Sequence, residues 1–97
     1  MSSKVFFDEL VEEFLRIDSL EDMVDFLYGI LTPSEIAEIP KRLQIIKLLK
    51  AGVPQKEIAS RLRVGIATVT RGSKEVKRGR LRNIKYQISK IKNKFKV

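Results

Sequence analysis

Residues Gln55 to Arg71 read QKEIASRLRVGIATVTR. Two short helical patterns flank Arg63-Val64-Gly65, the layout of a helix-turn-helix, in which two helices cross closely around a turn of three or four residues. Ile58, Leu62, Val64 and Val69 fall at the apolar offsets this crossing needs, and Ala59 supplies the small residue facing the second helix. Pro54 opens the first helix, Gln55 to Leu62. The second runs from Ile66 towards Arg78, and Gly79 ends it. Arg63 stands at the turn position where Gly is commonest, because the backbone there tends towards positive φ. Gly65, two residues later, is expected to take up part of that strain.

The second helix should present Ile66, Ala67, Thr68 and Thr70 outward near its N-terminus. Small and hydroxyl side chains suit a helix that sinks into the DNA major groove. Ala and Thr methyls meet the thymine methyl there, and a Thr hydroxyl bonds either base edge. Lys56, Arg61, Lys74, Lys77 and Arg78 flank this face within reach of phosphates, and Gln55 completes the candidate DNA-facing set. A plainer reading is a compact three-helix core with a wet basic surface. Helical packing alone, however, does not call for eighteen cations beside an almost uncharged helix N-terminus. Gly72 lies inside the second helix, where Gly costs about 1 kcal/mol relative to Ala. It lets a ligand, a phosphate or another helix approach the backbone.

Upstream, Val5 to Ile17 sets Phe7, Leu10, Val11 and Phe14 on one helical face with acids on the other. Ser19 and Asp22 resemble an N-cap pair, starting a second stripe through Leu20, Met23, Val24, Leu27, Tyr28 and Leu31. Thr32-Pro33-Ser34-Glu35 spells a capping box with Pro at the first helical position. Pro40 is expected to separate a short helix from a longer one, Lys41 to Lys50, ending at Gly52. Downstream, the spacing of Ile84, Ile88, Ile91 and Phe95 suits a last amphipathic helix, in a segment (80–97) with seven Lys or Arg and no acid. No strand alternation or internal repeat intervenes, so the fold class is all-α, with five to six helices. The expected organisation is one domain over 1–97: acidic helices over 1–31, central helices over 32–53, the helix-turn-helix over 54–79, and a basic C-terminal helix or tail over 80–97.

Charge divides the chain more sharply than its net +8 suggests. Residues 1–39 hold ten of the twelve acids against Lys4 and Arg16, a net of −8, whereas residues 40–97 hold eighteen Lys or Arg against Glu57 and Glu75, a net of +16. The basic part should attract polyanions and the acidic part should avoid them. The chain has no Cys and no His, which removes disulfides, thiol nucleophiles, the commonest general base and the usual zinc ligands. Asp8, Glu9, Glu12 and Glu13 form the wet face of a helix rather than an acid–base pair, so no catalytic or metal-binding residue is assigned. The longest apolar run, Phe26 to Leu31, is far short of the ~20 residues of a membrane span. Four acids in the first fourteen residues do not read as a signal peptide. The expectation is a soluble, cytoplasmic, non-enzymatic chain.

Leu31-Thr32-Pro33, Arg42 with Ile45, Gln55-Lys56-Glu57 and above all GIATVTRGS from Gly65 to Ser73 resemble the tryptophan repressor family. The resemblance runs from Leu31 to Ser73, nearly half the chain. It implies an intertwined all-α homodimer of about six helices per chain, in which a bound L-tryptophan orients the helix-turn-helix on an operator. By that similarity the indole would lie between Arg42 and Arg71, with Arg71 also holding the carboxylate. Thr32, Thr68, Gly72 and Leu31 of the other protomer would shape the pocket, and the ligand against its backbone would account for Gly72. Planar guanidinium groups stack on aromatic rings and pair with carboxylates, which suits Arg at both positions. For DNA, the similarity carries over to Lys56, Ile66, Ala67 and Thr70.

Three departures qualify the transfer. Glu75 replaces a small hydroxyl residue beside the ligand's amino group, where it would bind the ammonium of a different amino acid or tie up Arg71, four residues away. Ala59 replaces a DNA-contacting Lys, whose charge Arg61 or Arg63 could supply. The stretch before Leu31 is shorter than usual, and residues 80–97 are basic rather than mixed. The resulting expectation is a dimeric, sequence-specific transcriptional regulator, a repressor, on a pseudo-palindromic operator. Its rivals are a ligand-independent architectural nucleic-acid binder and a protein-interaction adaptor that uses the helix-turn-helix.

Overall fold

Local capping decides where the first helices begin. In the computed structural model, which describes residues 2–85, Ser2 Oγ accepts the Val5 N–H at 3.3 Å and starts helix α1, Ser3–Arg16. Ser19 Oγ accepts the Asp22 N–H at 3.1 Å and starts α2, Leu20–Ile30, as its Ser-Asp pair foretold. Helix α3, Pro33–Lys50, opens on a reciprocal box: the Thr32 N–H donates to Glu35 Oε1 at 2.8 Å, and the Glu35 N–H donates to Thr32 Oγ1 at 3.2 Å. Two shorter helices follow, α4 (Gln55–Leu62) and α5 (Ile66–Lys77). The described residues are thus all-helical, with five helices and no strand.

Pro40 does not divide α3, contrary to the expectation from sequence. A proline ring holds φ near the helical value, so the cost is confined to one missing N–H and pressure on the preceding turn. The carbonyl deprived of its donor is that of Ile36, and residues 37–40 are exposed, so water can serve it. The box at Thr32 and the buried Ile45, Ile46 and Leu48 hold the helix on either side.

The chain forms two compact units, up to Glu38 and from Ile39 onwards. In the first, α1 and α2 contain no buried residue, and their ring contact is an edge-to-face pair of Phe14 and Phe26 with centroids 5.3 Å apart. Of the apolar stripes read from the sequence, Phe7 and Tyr28 are more than half exposed, and so are Phe6, Leu15 and Ile30 outside those stripes.

The second unit has a core. Ile45, Leu48, Ile58 and Val69 are buried together, with Leu49, Val53, Ala59, Leu62 and Val64 against them. The end of α3 folds back through a Schellman turn: Gly52 has φ +85°, its N–H donates to the Leu49 carbonyl, and the Val53 N–H donates to the Leu48 carbonyl, both at 3.0 Å. The same device ends α4, with Arg63 at φ +54° in the glycine position. There the Val64 N–H reaches the Ala59 carbonyl at 3.1 Å. Gly65 relieves none of this, since its φ of −69° and ψ of 148° are ordinary extended values for the residue before α5. A side chain in the left-handed region costs on the order of 1 kcal/mol. Arg63→Gly is therefore expected to raise stability by about 0.5–1 kcal/mol after the greater freedom of Gly in the unfolded chain is subtracted. A thermal melt should show it as a Tm higher by a few degrees.

Gly79, at φ +80°, follows α5 and closes its last turn as expected, its N–H donating to the Val76 carbonyl at 3.0 Å. Lys50 Nζ then donates to the Leu81 carbonyl, tying the turn after α5 to the end of α3. The anticipated last helix, through Ile88, Ile91 and Phe95, lies outside the described residues.

Candidate nucleic-acid interface

The burial pattern of α5 sorts its residues into two faces. Val69 is fully buried and anchors the helix on Ile58 and Ile45. Ile66, 48% exposed, with Ala67 and Thr68, also exposed, lies in the first turn, and Thr70 is half-buried one turn on from Ile66. An isoleucine left half in water at a helix start is notable beside three others, Ile45, Ile46 and Ile58, that the same unit buries almost completely. Neither Pro54 nor Gly65 provides a side-chain cap for the helix that follows it.

The candidate phosphate-binding cations Lys56, Arg61, Lys74, Lys77 and Arg78 are all exposed, as is Arg63 at the turn. Two of them carry intrahelical partners: Arg61 bonds Glu57, and Arg78 Nη1 lies 2.8 Å from Glu75 Oε1. Such exposed pairs are worth at most about 1 kcal/mol, so a phosphate can compete for either arginine. Ala59 sits in the apolar layer under the crossing, with Arg61 and Arg63 on exposed positions nearby in sequence. A link that sequence reading misses is Thr70 Oγ1 to Gln55 Oε1 at 2.9 Å, joining α5 to the start of α4. Fifteen residues and a turn separate the two, and no periodicity reports such a contact.

Among the candidate ligand residues, Arg42, Thr68 and Arg71 are exposed and Gly72 is half-buried. Leu31 and Thr32 belong to the first unit, where the Thr32 hydroxyl and N–H are both used in the capping box. Glu75 pairs with Arg78 and, at 3.5 Å, with Arg80 rather than with Arg71. Of the three neighbours that Gly72 admits, the structure supplies a helix. A Cβ there would lie 3.1 Å from Ile45 Cγ2, and 3.5 Å from both Ile46 Cδ1 and Leu49 Cδ1, all on α3. Ile45 is 2% exposed and its β-branched χ1 is stiff, so it yields little. For Gly72→Ala, about 1 kcal/mol of helix propensity offsets the tight contact and leaves stability nearly unchanged. Gly72→Leu gains nearly the same propensity, but its larger volume against α3 outweighs it, and the variant should lose roughly 1–3 kcal/mol, measured by denaturant unfolding.

Residues 6–93 match the family described as Trp repressor protein. A Trp operon repressor homolog of Xylella fastidiosa (strain M23) is 38% identical over 74 residues, covering 75% of this chain and 80% of that protein. Trp operon repressor homologs of Pasteurella multocida (strain Pm70) and Actinobacillus succinogenes are 47% and 46% identical over 54 residues, 55% of this chain and just over half of each. No solved structure matches. A family match across the helices that carry both the apolar stripes and the helix-turn-helix leaves one conclusion: this chain belongs to the Trp repressor protein family, a regulatory and non-enzymatic one.

Proposed function

We propose that this protein is a sequence-specific DNA-binding repressor that acts as a homodimer. The observation that carries the reading is the exposure of Ile66, Ala67 and Thr68 at the start of α5, over a fully buried Ile58–Val69 anchor and flanked by exposed cations. The exposed apolar face of α1 and α2 supports a second copy as its cover, and a shared core would add the stability that small chains lack. Two α5 helices would then enter successive major grooves about 34–36 Å apart, the spacing general to helix-turn-helix dimers, this family among them, so the operator would be pseudo-palindromic.

L-tryptophan is the first effector to test, on Arg42, Thr68, Arg71, Gly72 and Glu75. A glutamate at position 75, where the resemblance implies a small hydroxyl residue, supports a second reading, in which another small amino acid is bound or none is needed. Selection of bound oligonucleotides with and without each amino acid tests operator, symmetry and effector together. Calorimetry with millimolar L-tryptophan separates the two effector readings, since heat accompanied by tighter operator binding belongs to the first alone. With about five phosphate contacts per protomer, log K should fall against log salt with a slope of roughly −9. A slope near zero in a salt titration of operator binding would contradict the cationic surface assigned here.

A further inference from the structure

We infer that Gln55 and Thr70 work as one reading element, with Gln55 the positioning residue that fixes how Thr70 meets a base. The inference rests on the DNA-binding reading above and adds a division of labour within it. Thr70 Oγ1 lies 2.9 Å from Gln55 Oε1 and 3.0 Å from the carbonyl oxygen of Ile66. A threonine hydroxyl has one proton, so it donates to one of these oxygens at a time. If it donates to the Ile66 carbonyl, Gln55 satisfies the other contact by turning its amide over and donating from Nε2 to Thr70 Oγ1. If it donates to Gln55 Oε1, the Gln55 amide N–H groups stay unused.

In either arrangement the hydroxyl proton is committed inside the protein, and towards DNA the oxygen keeps only acceptor capacity. Rotating χ1 of Thr70 would move the hydroxyl away from both partners, and a β-branched side chain has few wells to choose from. Thr70 thus offers DNA its methyl and an acceptor lone pair but no proton, and Gln55 offers the remaining capacity of its amide, held next in space to Thr70. A methyl recognises the thymine methyl, and a carboxamide recognises a base edge. Neither group carries charge, so neither adds much to sequence-independent binding, which comes from cations on phosphates. The pair should therefore set discrimination between sequences and leave non-specific affinity alone.

The test uses the selected operator and an unrelated duplex at one salt concentration, with binding read by fluorescence anisotropy. The proteins are the wild type, Gln55→Ala, Thr70→Val and the double variant; Val keeps the branched shape of Thr and lacks the hydroxyl. Each single change should lower the operator-to-unrelated affinity ratio roughly tenfold, with affinity for the unrelated duplex within about twofold of wild type. The double variant should be no worse than the more damaging single one. Thr70→Ser, which keeps the hydroxyl, should stay coupled to Gln55 while losing preference at one base pair. Losses that multiply in the double variant, or that are equal on the two duplexes, overturn the inference. A wild type that binds neither duplex at low salt overturns the DNA-binding reading itself, a different and recognisable result.

Discussion

Ile58→Ala should cost about 2–5 kcal/mol of stability, the range for truncating a well-packed core aliphatic. Ile58 is fully buried and shares its cluster with Val69, which is also fully buried, and with Ile45 and Leu48 from α3. The lost methyl and methylene groups leave a void beneath α5 that the short α4 cannot close without moving Gln55 and the turn at Arg63. For a chain of this size the change should lower Tm by at least about 10 °C. The melt must be run at fixed protein concentration, because a dimer's apparent stability depends on it. An unchanged Tm would mean that the helix-turn-helix does not rest on this anchor. Ile66→Ala is the natural comparison: at 48% exposure it has little burial to lose, and its stability should change by less than about 1 kcal/mol.

Ala67→Glu should do the reverse, abolishing DNA binding while the fold survives. Ala67 is exposed in the first turn of α5, where a glutamate is compatible with the helix and favourable towards its N-terminal dipole. On a helix seated in the major groove, however, a carboxylate in that turn is brought against phosphates and the acceptors of base edges, and it competes with them for the flanking cations. Operator affinity is expected to fall at least about 100-fold, a loss comparable to leaving a charge unpaired in a contact. Gel shift or anisotropy measures the binding, and circular dichroism checks the helices. Retained operator affinity in the folded variant would remove α5 from the interface, and with it the proposed reading surface.

Both predictions rest on features that the sequence makes legible. The helix-turn-helix could be read because its signals are local: Pro54 before α4, apolar residues at helical spacing, and Gly79 after α5. The capping box at Thr32 and Glu35 and the Ser19 cap were legible for the same reason, since each involves neighbours three residues apart. Pro40 was misread because its local penalty is real but smaller than the support α3 receives from its cap and from Ile45, Ile46 and Leu48 farther along. Gly65 was misread because the strain stays on Arg63, where the closing bonds of α4 require the left-handed value.

The amino-acid order alone determined the helical class, the segregation of acid from base, and the pair of short helices that flanks Arg63. All three follow from periodicity, capping and charge, which act over one or two turns. Only the tertiary arrangement decided that Gly72 makes room for Ile45 and that Gln55 meets Thr70. Both contacts join different helices, and which partner a versatile side chain takes depends on how the backbone comes together in space. Distance along the chain carries no record of that.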